Sequence, residues 1–292
     1  MAKQKTTFSP YSIGLYVKCP RQYYFEYIDN YTSVYPNKQK IKQIPLEAGQ
    51  RKELIFGELL HIVLNDFFHL PEYRRNEGEL LSLLKETWMG ANKGARGQKG
   101  GFPDIEEERR WYKEALEIIS KFCATQNLLP KIAYLPERER EGEFVKANFL
   151  KVSLRPDVIL AGKIDRIDKE GEEYYHLIDY KTSKRESEED FQLMAYAILA
   201  TEALGMAPSK VSYLYLRSGE LRSFEPNEKA IERTKERTLM IAEQIQKEEE
   251  FAARPTKMCQ YCDYLEFCPA KEEAKRLVAE YKGEDETAEL PF

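Results

Sequence analysis

The sequence predicts a single α/β domain, and three observations carry that reading. Helical patterns and short β-rich segments follow one another in the order helices, three strands, helix, two strands, helix. The 292 residues are 42% hydrophobic and 33% charged, an ordinary folded composition long enough to bury a core. No stretch reads as a linker long enough to force a second domain. The domain is therefore expected over 1–283, with a mainly helical insertion over 35–130. The acidic segment 284–292 reads as a disordered tail.

Each element has a local reason. Residues 8–30 read as a short helix opened by Ser9-Pro10, an N-cap before a proline at the first helical position. Residues 46–70 repeat apolar side chains every three or four positions, and 74–89 and 104–126 carry the same helical signal. Between them, 90–103 is Gly-rich with Lys93, Arg96 and Lys99, and reads as a loop. Three strands are expected at about 137–146, 149–168 and 174–181, the second broken near Arg155-Pro156 and Gly162. A helix follows at about 187–205, stopped by Gly205. Strands at 210–217 and 220–225 flank a Ser218-Gly219 turn. A charged helix fills 227–250, and a last short helix follows the cysteine run 258–270.

The bulk charge excludes little. Net charge is −5, from 45 basic and 50 acidic residues, which does not advertise a nucleic-acid binder and does not exclude one. No apolar run approaches the roughly 20 residues of a membrane span. MAKQKTTFSPYS lacks the apolar stretch of a secretory signal. A cytoplasmic protein without membrane attachment is expected. No Walker A pattern is present, so ATP-driven unwinding is not intrinsic.

The chemistry gathers around GKIDRID and HLIDYKT. Asp165 follows the apolar VILAGKI, and Asp179 stands at the end of the apolar strand before Tyr180. Asp179 and Lys181 are two apart on a strand and share a face. They are either surface ion pairs of an edge strand or buried acids. Buried, the two carboxylates would repel unless they share a proton or a divalent cation. All-oxygen ligation suits Mg²⁺ or Mn²⁺.

Four motifs in order resemble the PD-(D/E)XK nucleases, specifically their RecB-like exonuclease branch. Gly57-Glu-Leu-Leu-His61 is similar to its GxxxH helix, and Gly162-Lys-Ile-Asp165-Arg-Ile-Asp168 to its GxxDR(I/V)D strand. Asp179-Tyr180-Lys181-Thr182 and Gln192-Leu-Met-Ala-Tyr196 are similar to its D-x-K strand and QxxxY helix. The resemblance implies a restriction-endonuclease-like fold, with a central mixed sheet flanked by helices. It implies that His61, Asp165, Asp179 and the Tyr180 carbonyl bind the divalent metal. Lys181 would position or deprotonate the attacking water, or stabilise charge in the transition state. Gln192 would orient the site, and Tyr196 would touch DNA or hold the site together. The implied activity is a Mg- or Mn-dependent deoxyribonuclease, an exonuclease on single-stranded DNA or DNA ends, in repair, recombination or CRISPR adaptation. The alternative is a catalytically silent DNA-end-binding or scaffold subunit of a helicase–nuclease complex.

Five cysteines in a cytosolic-looking chain suggest ligands over disulfides. Cys259, Cys262 and Cys268 cluster, Cys19 stands near the start, and Cys123 reads as a helix residue. Four thiolates suit zinc or an iron–sulfur cluster. The one-plus-three arrangement resembles the [4Fe–4S] nucleases, which include the CRISPR-associated RecB-like exonuclease and the AddB nuclease domain. That resemblance implies a cluster staple joining segments 1–30 and 255–275, with Zn²⁺ as the alternative.

Substrate contacts are sketched more thinly. Tyr16, Lys18 and Arg21 suit a strand-binding channel, or else pack around the cysteines. Lys93, Arg96 and Lys99 suit a phosphate clamp or a plain linker. A helicase or CRISPR integrase is an expected partner type, and the tail 284–292 resembles the acidic partner-binding tip of single-strand-binding proteins.

Overall fold

The computed structural model describes residues 6–29, 52–90, 97–141, 144–147, 149–183 and 190–284. Strand β1 (Thr7–Phe8) leads into helix α1 (Pro10–Lys18), where Ser9 and Ser12 exchange side-chain-to-backbone hydrogen bonds in a capping box. The helix stops at Cys19, which is extended at φ −157°, because proline at position 20 disfavours helical backbone before it. A one-turn helix α2 (Pro20–Tyr23) and a π-helical turn (Tyr24–Ile28) follow. The single helix expected over 8–30 is thus three pieces.

Helices α3 (Lys52–His69), α4 (Glu77–Met89) and α5 (Ile105–Thr125) occupy the predicted helical stretches. Residues 46–51 lie outside the described residues. Asn76 and Asp104 cap α4 and α5 by accepting from Glu79 and Glu107 backbone N–H groups at 3.1 and 2.7 Å. The expected loop over 90–103 contains a 3₁₀ turn at Gly97–Gly100, with 91–96 outside the described residues.

Strand β2 (Ile132–Tyr134) is too short for its pattern to be read. The strand expected at 137–146 is instead an antiparallel pair, β3 (Arg138–Glu141) and β4 (Phe144–Ala147), with Gly142 between them in the sequence. The stretch 149–168 breaks where Pro156 and Gly162 suggest, into β5 (Leu150–Arg155), β6 (Val158–Gly162) and β7 (Arg166–Lys169). Then come β8 (Tyr175–Lys181) and α6 (Phe191–Leu204), which Gly205 ends in a left-handed conformation, φ 70°. Strands β9 (Pro208–Tyr215) and β10 (Glu220–Phe224) form a hairpin, with Gly219 at φ 79° in its turn. Helix α7 (Glu228–Lys247), two 3₁₀ turns through the cysteine run, and α8 (Lys271–Glu284) complete the chain. The tail 285–292 lies outside the described residues.

The chain divides into two compact units. One comprises the described residues within 52–152 and 162–231. Its sheet has the order β10-β9-β8-β7-β2, with β8 and β9 parallel and the other neighbours antiparallel. Ile178 and Tyr180 of β8, with Leu214 of β9, join Phe56, Leu60 and Phe67 of α3 in one buried cluster with α4 and α5. Each such fully buried side chain contributes roughly 1.5–3 kcal/mol. The alternate β8 residues, Asp179 and Lys181, therefore face the other side, where Lys181 bonds Gln192 of α6.

The other unit comprises the described residues 6–29, 153–161 and 232–284. There β1 runs parallel to β6, Thr7 beside Ile159 and Phe8 beside Leu160. Tyr16 packs edge-on to Tyr23 at 5.6 Å, and Tyr23 stacks on Phe251 at 6.3 Å. Among the described residues no helix is long and apolar enough to cross a membrane.

Candidate active site

The first unit described gathers the residues of all four motifs. Helix α3 presents Gly57 and His61 one turn apart on the same stripe. An alanine Cβ at position 57 would lie 2.8 Å from Thr182 Oγ1, so glycine lets the helix approach the end of β8. That approach brings His61 Nε2 to 3.0 Å from the Tyr180 carbonyl and 3.3 Å from Asp165 Oδ2. His61 Nδ1 lies 2.8 Å from the Gly57 carbonyl and donates to it. Asp165 sits in the turn between β6 and β7 and accepts the Tyr180 N–H at 2.9 Å. Its carboxylate is thereby held beside the residue that follows Asp179.

The second carboxylate is more deeply buried. Asp179 is 4% exposed in the central strand of the sheet. Lys181 Nζ stands 2.8 Å from Asp179 Oδ2, an ion pair without the alignment of a hydrogen bond. Lys181 also donates to Gln192 Oε1 at 2.7 Å, and Gln192 Nε2 donates to the Tyr196 hydroxyl at 2.9 Å. The Tyr213 ring lies 4.8 Å below the Lys181 ammonium. Tyr196 reaches its place because position 162 is glycine, whose Cβ would lie 2.8 Å from the Tyr196 ring.

The environment drives the two carboxyls apart in acidity. Burial is the largest influence on Asp165 and raises its pKa, but the His61 charge and hydrogen bond, the Tyr180 N–H and Lys163 together hold the carboxyl below its usual value. Burial pushes the Asp179 carboxyl up; Lys181 opposes this and the Asp165 charge adds to it. Burial favours neutral His61, yet the Asp165 carboxylate prevails and lifts the imidazole to about 9. Perturbed groups converging on one spot mark a candidate site on physical grounds.

These donors fit a hard dication in part. With Nδ1 donating to Gly57, the Nε2 lone pair of a neutral His61 would point at two acceptor oxygens, Tyr180 O and Asp165 Oδ2. Such converging lone pairs need a proton or a metal ion between them. Among the described residues no group of three or more His, Cys, Asp or Glu could hold a metal ion. The reason here is that Asp179 is drawn to Lys181 while His61 and Asp165 pair with each other.

The cysteine site is likewise partial. Cys19, Cys259, Cys262 and Cys268 line one cavity with Arg21 and Met258. Burial pushes the Cys262 thiol up to about 12, and the charges of the other three cysteines add to the shift. Cys268 is raised for the same reasons, against Arg21. No tight four-thiolate group forms, so the expected cluster subdomain is present only as this shared cavity. Cys123 is a half-buried residue of α5, as its helical context suggests.

The expected DNA contacts fare differently. Tyr16 is buried and its hydroxyl donates to Glu248 at 3.1 Å, so its ring is a packing element and offers no face to a base. Arg21 donates to the Glu250 carbonyl at 2.9 Å and lies over Tyr24, while Lys18 is exposed. Lys93 and Arg96 lie outside the described residues, and Lys99 falls in the turn Gly97–Gly100. Sequence reasoning gave Arg166 and Asp168 no role. They form a buried ion pair at 3.0 Å, with the Arg166 guanidinium 4.2 Å from the Phe68 ring centre. Their opposite charges two residues apart on one strand, and so on one face, were the available signal.

A family model described as the PD-(D/E)XK nuclease superfamily matches residues 7–269. No curated protein matches the chain. A solved structure described as "Crystal structure of SSO0001" is similar over 93% of this chain and 89% of its own, at 15% identity and a TM-score of 0.34.

Proposed function

Because the chain belongs to the PD-(D/E)XK nuclease superfamily, we propose that it is a Mg²⁺- or Mn²⁺-dependent deoxyribonuclease of the RecB-like branch. The carrying observation is the convergence of His61 Nε2, Asp165 Oδ2 and the Tyr180 carbonyl beside the Asp179–Lys181 pair. Those three groups and Asp179 would hold the metal. When bound, a hard dication supplies Lewis-acid activation of phosphate and water. Lys181, relieved of Asp179, keeps its place through Gln192 and offers its ammonium to the attacking water or to charge developing on the phosphate. Tyr196 fixes Gln192 and so fixes Lys181.

The substrate we infer is single-stranded DNA or a DNA end, cut exonucleolytically, in repair, recombination or CRISPR adaptation, beside a helicase or integrase. Labelled single-stranded and end-labelled duplex DNA are incubated with Mn²⁺ and wild type, Lys181→Ala or Asp179→Asn. Wild type should shorten the DNA, with both variants losing at least about 10²-fold in rate. Equal rates in all three would reject catalysis at this site. Binding without cutting would instead favour a scaffold role. Deleting 284–292 tests the tail: an unchanged set of co-purifying proteins rejects a partner there.

A second reading is supported by the cysteine cavity. Cys262 and Cys268, whose thiols are raised by burial and by the neighbouring cysteines, become compatible as thiolates when a soft cation joins the four side chains. We infer a [4Fe–4S] staple there, structural in role. A visible absorption band in anaerobically purified protein, lost in Cys262→Ser, is the expected result. A colourless protein with one bound zinc ion would replace it.

A further inference from the structure

We propose that Arg217 is a positioning residue that locks α3 in register on the end of β8 and so sets the reach of His61; this rests on the nuclease reading of that site. Arg217 lies two residues beyond β9. Its Nε donates to the Thr182 carbonyl at 2.6 Å, and its Nη2 donates to Glu53 Oε2 at 3.3 Å. Its Nη1 pairs with Glu114 of α5. The guanidinium also lies 5.4 Å from the Phe56 ring centre and 6.0 Å from that of Trp111. One side chain, 13% exposed, thus ties α3, α5 and the residue after Lys181 together.

The register follows from helical spacing. Glu53, Gly57 and His61 are four apart along α3 and form one stripe. Along that stripe Glu53 meets Arg217, Gly57 meets the Thr182 side chain, and His61 meets the Tyr180 carbonyl. The partners of the first two are themselves joined, because Arg217 bonds Thr182. An axial slip of one residue would move His61 by about 1.5 Å, which would end its approach to Tyr180 and Asp165. Lysine cannot replace the fork, since an ammonium lacks the fixed planar donors that reach a carbonyl and two carboxylates at once.

The test compares wild type with Arg217→Lys and Glu53→Gln. In Mn²⁺-dependent DNA cleavage, Arg217→Lys should raise the half-maximal Mn²⁺ concentration at least about tenfold while the KM for DNA stays within about twofold. Glu53→Gln should shift it the same way by less. Folded variants with the wild-type Mn²⁺ midpoint, whatever their Tm, would make Arg217 merely structural and overturn the proposal. If wild type cuts no DNA, the nuclease reading fails alone, and the lock is decided by NMR of metal-free protein. There the His61 Nε2 resonance should move in the variants while that of His176 stays; an unmoved His61 overturns it. Should Arg217→Lys fail to fold, Glu53→Gln carries both readouts.

Discussion

Gly162→Ala gives the most direct reading of how the sheet and α6 hold the site. The new methyl would lie 2.8 Å from Leu199 Cδ1 and from Tyr196 Cε1, and 3.2 Å from Tyr196 Cδ1. Comfortable carbon contacts begin near 3.5 Å, so both side chains must retreat by about 0.7 Å. Both are packed in a helix buried along most of its length. Overpacking of this kind costs roughly 1–3 kcal/mol. At roughly 2–4 °C per kcal/mol, Tm should fall by about 2–12 °C. The displacement also travels, because the Tyr196 hydroxyl accepts from Gln192 and Gln192 accepts from Lys181. A shift approaching 1 Å at Lys181 should cost about 10–10²-fold in rate. Thermal melts and Mn²⁺-dependent cleavage well below both melting points read the two effects separately. A Tm within about 1 °C of wild type, with the wild-type rate, would refute the close-approach reasoning.

Two further predictions concern the other face of the sheet. Burial is the largest cause that depresses His176 to about 4, with Lys210 adding to it and Glu170 opposing. Since the folded pKa lies below the unfolded value near 6.5, the contribution is whole above pH 6.5. It is lost as pH falls to about 4, by up to roughly 3 kcal/mol. Urea unfolding from pH 7 to 4 should show that loss in wild type and not in His176→Asn; parallel profiles would reject it. Asp168→Asn leaves the Arg166 cation, 3% exposed, without its counter-charge, and should cost roughly 3–5 kcal/mol. The double change Arg166→Met with Asp168→Leu should recover most of it in the same assay. A loss under about 1 kcal/mol in Asp168→Asn would mean that Phe68 and Tyr180 suffice for the guanidinium.

What the sequence made legible was local or periodic. The cap at Ser9, the stop at Gly205 and the breaks at Pro156 and Gly162 follow from residue chemistry within a few positions. So does the shared face of Asp179 and Lys181. The interruption at Cys19 was equally available from Pro20, which disfavours helical backbone at the residue before it. The α3 contacts to β8 were not legible, because they depend on which strand faces which helix and in what register. The pairing of Arg166 with Ile178 across β7 and β8 is what sets Asp165 against the Tyr180 N–H. No window of sequence contains that register. Arg217 is the plainest case: it stands 164 residues from Glu53 and 35 from Thr182, and nothing in LYLRSGE marks it.

The arrangement of charge explains why two acids can be buried in this sheet at all. A lone carboxylate at Asp179 would be expelled or protonated, and a second at Asp165 would make matters worse. The chain instead sets two cations against them, His61 on Asp165 and Lys181 on Asp179. Each cation comes from a different element, α3 or β8, and each is tethered by a neutral acceptor, the Gly57 carbonyl or Gln192. The two ion pairs bring the site close to neutral and offset much of the cost of burying its acids. On the proposed nuclease reading, His61, Asp165, Asp179 and the Tyr180 carbonyl would hold a dication, which would supply the same balancing charge. These two ion pairs also hold the imidazole and the ammonium beside the carboxylates, each fixed from an element that the sheet register alone brings there.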